Sequence, residues 1–330
     1  MEGKGQERTW LVTGAAGFIG SHLVEGLLLG GQLVVGFDNF STGSRENLED
    51  VARVVGPERG ANFRLVIGDI RDRNACFEAC RGVDAVVHLA AMASVPASLA
   101  NPEACHAVNV NGFLKILSCA RAAGVKRVVY ASSSAVYGDD ETLPKVESRI
   151  GKPLSPYALS KRMDEELADM AWRLYGLPCV GMRFFNVYGT RQDPKGPYAA
   201  VIPIWVSALE RLERPVIYGD GTTTRDFVSV TDVVRAIRLA AETENAACFG
   251  EAFNIAAGAS TSLGELFALL RAEVAKTRPE AAGIEPRYAD FRPGDIRHST
   301  ADISRVRNLL GFEPRISLEE GLGILIRNSH

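Results

Sequence analysis

The chain has 330 residues, 46% of them hydrophobic, with 37 basic and 40 acidic side chains and a net charge of −3. That length and composition fit a globular protein with a substantial core, and the lack of a basic surplus speaks against nucleic acid or an anionic membrane as partner. Met1–Arg8 is polar with no apolar signal core, and no later run is long enough to span a bilayer, so the sequence reads as that of a cytoplasmic protein.

In chain order, short β-branched or apolar runs at Trp10–Thr13, Leu33–Phe37, Phe63–Ile67, Ala85–Leu89, Arg127–Ala131 and Cys179–Phe184 predict strands. Between them, Ser21–Leu29, Asn74–Cys80, Pro102–Ala123 and Tyr157–Tyr175 carry apolar residues at helical spacing. The alternation predicts an α/β fold, a doubly wound parallel sheet of Rossmann type with right-handed crossovers, over residues 1–186. Beyond it the order loosens: Gly189–Pro203 is rich in Gly and Pro, Gly219–Thr224 is a polar turn, and the last third mixes helices with short strands. Residues 187–330 are therefore expected to form a smaller mixed α/β substrate domain, with segments around 226–256 returning to the first. Cys76, Cys80, Cys105, Cys119, Cys179 and Cys248 form no C-x-x-C pair and sit among apolar residues, which predicts reduced core thiols and no metal site.

The first strand runs directly into Gly14-Ala15-Ala16-Gly17-Phe18-Ile19-Gly20 and then a helix. Glycines let a dinucleotide diphosphate approach bare backbone at a helix N-terminus, where free N–H groups and the dipole favour negative charge. Gly14, Phe18 and Ile19 are expected along that diphosphate. The second strand ends at Asp38, followed by Asn39, about 20 residues on, where a carboxylate accepts hydrogen bonds from the adenosine ribose. An Asp there repels a 2′-phosphate and favours NAD, while Arg45 nearby keeps NADP as a second reading. Asp69 and Ile70, after the third strand, are expected to flank the adenine, and Ala90 and Ala91, after the fourth, to pass beside the cofactor.

Tyr157-Ala158-Leu159-Ser160-Lys161 places a phenol and an ammonium on one helical face. A phenol, with an ordinary pKa of about 10, is a poor base at neutral pH, and an adjacent cation together with a positive nicotinamide ring favours its phenolate. The fifth strand leads into Ser132-Ser133-Ser134, delivering hydroxyls to a C-terminal strand edge, where open α/β sheets bind ligands.

With these motifs in this order, the chain resembles the extended short-chain dehydrogenases/reductases, and among them the NAD-dependent UDP-sugar 4-epimerases. The matching residues are the glycine triplet Gly14, Gly17 and Gly20, then Asp38, Asp69, Asn109, Ser133, Tyr157, Lys161, Arg183-Phe184-Phe185-Asn186, Gly219-Asp220-Gly221 and Arg225-Asp226. The resemblance implies that Tyr157 is the acid/base at O4, that Lys161 tunes it and binds the nicotinamide ribose, that Ser133 hydrogen-bonds O4 and that Asn109 supports the cofactor pocket. It implies a homodimer through helices including Pro102–Ala123 and Tyr157–Tyr175. Related 4,6-dehydratases carry an Asp-Glu pair where this chain has Ser134-Ala135, which points to epimerisation.

On the substrate side the resemblance suggests Ser134, Asn186, Arg191, Ala200, Val201, Arg225, Arg292, Asp295 and Ser299 as contacts. Arg191–Pro203 and Arg297–Asp302 look most like epimerases of UDP-N-acetylhexosamines, with Ser299 where a bulky tyrosine tends to sit in relatives restricted to UDP-glucose and UDP-galactose. UDP-glucose/UDP-galactose or UDP-glucuronate epimerisation, and a catalytically silent NAD-sensing protein, are the alternatives.

Overall fold

The structure, a computed structural model, describes residues 7–194, 199–291 and 296–328. In chain order its first part runs β1 (Thr9–Thr13), α1 (Phe18–Leu29), β2 (Leu33–Asp38), α2 (Arg45–Gly60), β3 (Phe63–Ile67), α3 (Arg73–Cys80), β4 (Ala85–His88), α4 (Val95–Ala100), α5 (Pro102–His106), α6 (Gly112–Ala122), β5 (Arg127–Ser133), α7 (Pro156–Tyr175) and β6 (Cys179–Phe184). There follow β7 (Asn186–Tyr188), α8 (Val201–Glu210), β8 (Val216–Tyr218), β9 (Thr224–Arg225), β10 (Phe227–Ser229), α9 (Val230–Glu242), β11 (Glu251–Ile255), β12 (Thr261–Ser262), α10 (Leu263–Ala275), β13 (Arg287–Ala289), α11 (Ser304–Leu310) and α12 (Leu318–Arg327).

Among the described residues, seven parallel strands form the central sheet in the order β11-β6-β5-β4-β1-β2-β3. The strands are apolar on both faces because both are covered. Trp10 and Val12 pack on the side of α1, α9 and α11, while Leu11 between them packs on the side of α3, α6 and α7. Burial of each such side chain contributes about 1.5–3 kcal/mol. The winding reverses at β1, which pairs β2 in one direction and β4 in the other. That switch point opens a crevice at the C-terminal strand ends. A separate cluster around Trp205, Leu266, Leu270 and Leu322 forms a core for the residues after β6, which also build three two-stranded sheets.

The chain crosses back to the first layer: α9 packs on α1 and β11 adds to the sheet edge beside β6. The predicted strands reappear, two of them with the same ends and the others with one end moved by one or two residues. The expected helix over Pro102–Ala123 is continuous to Ala122, as α5 and α6 with a π-helical stretch, Ala107–Asn111, between them and Asn109 inside it. Such stretches recur at functional sites. Helix α2 left little apolar signal in the sequence, because it buries only Val51 and Val55 and is interrupted at Gly56 (φ 72°) and Pro57.

Candidate active site

The turn after β1 is built by its glycines. Gly14 has φ 69°, and a Cβ there would lie 2.9 Å from the Ala90 nitrogen; a Cβ on Gly20 would lie 1.9 Å from the Gly14 carbonyl oxygen. Gly17 caps α1 with no side chain to accept from the first turn, so the N–H groups of Phe18 and Ile19 remain for an anion. This bare, positive helix end fits a dinucleotide diphosphate.

Asp38, at the end of β2, is buried and accepts the N–H of Ala16 at 2.9 Å and of Phe40 at 2.7 Å. It fixes the glycine turn against the second strand while retaining lone pairs for a ribose hydroxyl. Asn39 donates to Asp69 at 2.9 Å, and Asp69 also takes a two-pronged bond from Arg71 at 2.9 and 2.7 Å. The Arg71 guanidinium holds the Asp69 carboxyl well below the usual range. Ile70 is buried against Gly112, where a Cβ would come within 2.6 Å of its side chain. Ala90 donates its N–H to the Thr13 hydroxyl at 3.2 Å, and Ala91, half-buried, follows it in the loop after β4. Asn109 is fully engaged: it accepts from Met92 N–H at 2.8 Å and donates to the Met92 carbonyl at 3.2 Å and the Ser160 hydroxyl at 2.9 Å. It shapes the loop after β4 and ties it to α7.

Tyr157 and Lys161 are carried on α7, which starts at Ser155 (accepting from Ala158 N–H) and Pro156. The backbone N–H of Tyr157 donates to the Ser98 hydroxyl at 3.1 Å, seating the helix start on α4. Lys161 is 2% exposed and donates to the Ala131 carbonyl at 3.0 Å and to Asp164 at 3.1 Å. Burial works to lower its ammonium, but the charges of Asp164 and Tyr157 prevail and hold it above its ordinary value. Ser133 ends β5 and its hydroxyl accepts from Ala135 N–H at 3.2 Å, capping a short turn, Ser134–Tyr137. No carboxylate stands at Ser134 or Ala135. Below the crevice His88 is stacked on Phe113, and burial lowers it to about 3, so it is a neutral ring.

Asn186, Ala200, Val201 and Arg225 line one cavity of about 550 Å³ together with Gln192 and Tyr218. Ser299 is not among the residues lining that cavity; its segment is held by the Arg297 carbonyl, which accepts from Thr224 N–H at 2.9 Å, and the Thr300 carbonyl, which accepts from Lys145 N–H at 2.8 Å. Arg191 is elsewhere. It pairs with Glu25 of α1 and lines a different cavity with His22, Asn47 and Asp50. Arg292 and Asp295 lie outside the described residues.

Three carboxylates at the site were given no role by the sequence. Asp164 and Glu165 follow Tyr157 and Lys161 on the inward face of α7, and that helical spacing was the available signal. Asp226, fully buried, accepts from Ala257 N–H at 2.8 Å and Ala301 N–H at 3.1 Å, joining the loop after β11 to the segment that carries Ser299. The cysteines are buried and free, and burial pushes Cys76, Cys80 and Cys179 up to about 12, which leaves them inert.

Comparison with known proteins agrees with this geometry. Residues 11–325 match the family model described as GDP-mannose 4,6 dehydratase. The chain is 40% identical over 314 residues to UDP-glucose 4-epimerase of Mycolicibacterium smegmatis, covering 94% of this chain and 95% of that one. Its fold matches the UDP-N-acetylglucosamine 4-epimerase of Methanobrevibacter ruminantium M1, in complex with UDP-N-acetylmuramic acid, at TM-score 0.89 and 37% identity, covering 98% of each chain. It also matches the UDP-glucose 4-epimerase of Thermus thermophilus in complex with NAD, at TM-score 0.82 and 32% identity, covering 97% of this chain and 98% of that chain. With a switch-point crevice, a glycine turn and a Tyr-Lys helix in the same order, the chain belongs to the extended short-chain dehydrogenase/reductase family of NAD-dependent nucleotide-sugar epimerases and dehydratases.

Proposed function

We propose that the protein interconverts UDP-N-acetylglucosamine and UDP-N-acetylgalactosamine by oxidation at C4, rotation of the 4-keto sugar and re-reduction on the opposite face. NAD, when bound, supplies the hydride acceptor and donor. Residues of this chain do the rest: Tyr157 takes the O4 proton and later returns it, Ser133 hydrogen-bonds O4, and Lys161 holds positive charge beside the phenol. Gly14, Gly17, Phe18, Ile19 and Gly20 would cradle the diphosphate of NAD, Asp38 and Asn39 its ribose, with Asp69 and Ile70 beside the adenine and Ala90 and Ala91 along its path. The UDP-sugar would occupy the cavity lined by Asn186, Ala200, Val201 and Arg225.

The observation that carries the choice of epimerisation is the Ser133-capped turn, where Ser134 and Ala135 offer no acid to expel a hydroxyl from the keto intermediate. What supports the acetamido preference is the resemblance at Ser299, a small residue where relatives restricted to UDP-glucose and UDP-galactose tend to carry a tyrosine. We also infer a homodimer. Leu99, Leu154, Leu159 and Met163 are exposed around one apolar hollow at the ends of α4, α5 and α7, and sedimentation should show twice the chain mass.

The test is incubation with UDP-N-acetylglucosamine, UDP-glucose and UDP-glucuronate separately, followed by separation of epimers. Conversion of the first at the highest kcat/KM is expected. Preference for UDP-glucose or UDP-glucuronate overturns the sugar assignment, and loss of water from the sugar overturns epimerisation.

A further inference from the structure

Lys161 is held from behind by a carboxylate that is as deeply buried as the ammonium itself. Asp164 Oδ2 lies 3.1 Å from Lys161 Nζ, and their side chains are 1% and 2% exposed. The pairing is local to the helix, one turn apart on the inward face of α7, so it is rigid wherever the helix is. An ammonium has three N–H groups. Here one goes to the Ala131 carbonyl, one to Asp164, and the third is left for a ligand. The other oxygen, Asp164 Oδ1, is buried with no hydrogen-bond partner among the described residues. A carboxylate so poorly served by hydrogen bonds is expensive to bury unless the adjacent charge compensates it.

The surroundings leave Lys161 as its partner. On α7 itself, Glu165 is turned to Arg183 and Ser132, and Tyr157 stands one turn before Lys161. From β5 the buried Tyr130 phenol is raised well above its ordinary value by burial. From α5 comes the Cys105 thiol, raised by burial, and from β4 the neutral His88 ring. None of these supplies a second positive charge. Burial raises the Asp164 carboxyl to about 6, which leaves it ionised at neutral pH.

We propose that Asp164 is a positioning residue for the reaction: it aims the third N–H of Lys161 toward the cofactor ribose and offsets part of the ammonium's charge at Tyr157. This rests on the assignment of Tyr157 and Lys161 above. The sign of its effect follows. With Asp164 ionised, Tyr157 feels less than a full positive charge. Replacing the carboxylate by an amide of the same shape leaves Lys161 uncompensated, so the phenolate forms at lower pH. A purely structural side chain would change stability without moving a titration.

The experiment compares wild type, D164N and Y157F. For D164N the acid limb of the kcat–pH profile should move down by about one pH unit. NAD affinity of the apoprotein, measured by calorimetry, should weaken about tenfold because an uncharged amide oxygen holds the ammonium less firmly than the carboxylate does. If D164N yields too little folded protein, D164S, uncharged and too short to hold Lys161 in the same way, carries the same two expectations. An acid limb in its wild-type position with NAD affinity within twofold would overturn the proposal. Y157F separates the two failures: if it stays active within a few-fold, the Tyr157 assignment has failed, and if it is inactive while D164N behaves as wild type, only the role of Asp164 has failed.

Discussion

Arg183 of β6 and Glu165 of α7 form a two-pronged ion pair, Nε to Oε1 at 2.9 Å and Nη2 to Oε2 at 2.8 Å, with both side chains nearly buried. Glu165 Oε1 also accepts the Ser132 hydroxyl at 2.5 Å, so one carboxylate ties the helix of Tyr157 and Lys161 to the strand that delivers Ser133. Planar guanidinium and carboxylate groups bonded in this way resist rotation.

Removing one partner of this buried pair leaves the other charged and uncompensated. Glu165→Ala should therefore destabilise the protein by about 3–5 kcal/mol, read as a lower urea midpoint. Because Glu165 also ties α7 to β5 through Ser132, kcat should fall about tenfold or more while KM for the UDP-sugar changes less. An unchanged midpoint would show that the pair is not a structural tie.

Asp226 gives stability a pH dependence with a defined sign. Burial raises its carboxyl to about 6 against the backbone N–H groups of Ala301 and Ala257, which pull it down. The unfolded chain ionises an aspartate near 4, so the folded state holds the proton more tightly. Its contribution is fully present below about pH 4 and is lost as pH rises to about 6. Asp226→Asn lacks this titration, and the stability of wild type relative to the variant should fall by about 2–3 kcal/mol across that window. Urea titrations at pH 4, 5, 6 and 7 check this; a difference that does not vary with pH removes Asp226 as the source.

Substrate size should turn on Ser299. The 4-keto sugar must present both faces to the hydride donor, so the pocket has to take the C2 substituent in two orientations. Ser299→Tyr should suppress kcat/KM for UDP-N-acetylglucosamine more than tenfold relative to UDP-glucose, because specificity is a ratio of those values. If the ratio stays put, Ser299 is a turn residue with no part in selection, and the proposal of an acetamido preference rests on the resemblance of Arg191–Pro203 alone.

The parallel sheet, the glycine turn, Asp38 and the Tyr157–Lys161 spacing were all legible in the order of residues. Each is a local pattern: apolar runs of strand length, glycine where a φ of 69° or a close backbone approach demands it, and two side chains one helical turn apart. What those side chains meet depends on packing between distant segments. Arg191 follows a motif-like segment, yet chain folding delivers it to Glu25 on α1, 166 residues away in sequence, and so into a cavity apart from Asn186 and Arg225. The π-helical stretch within Pro102–Ala123 was invisible because it keeps helical spacing nearly intact while turning Asn109 toward Met92 and Ser160. Asp164 and Glu165 read as ordinary helix carboxylates in the sequence, and Asp226 as one member of a short motif. Their burial depends on strands and loops far along the chain, whose approach no local periodicity encodes.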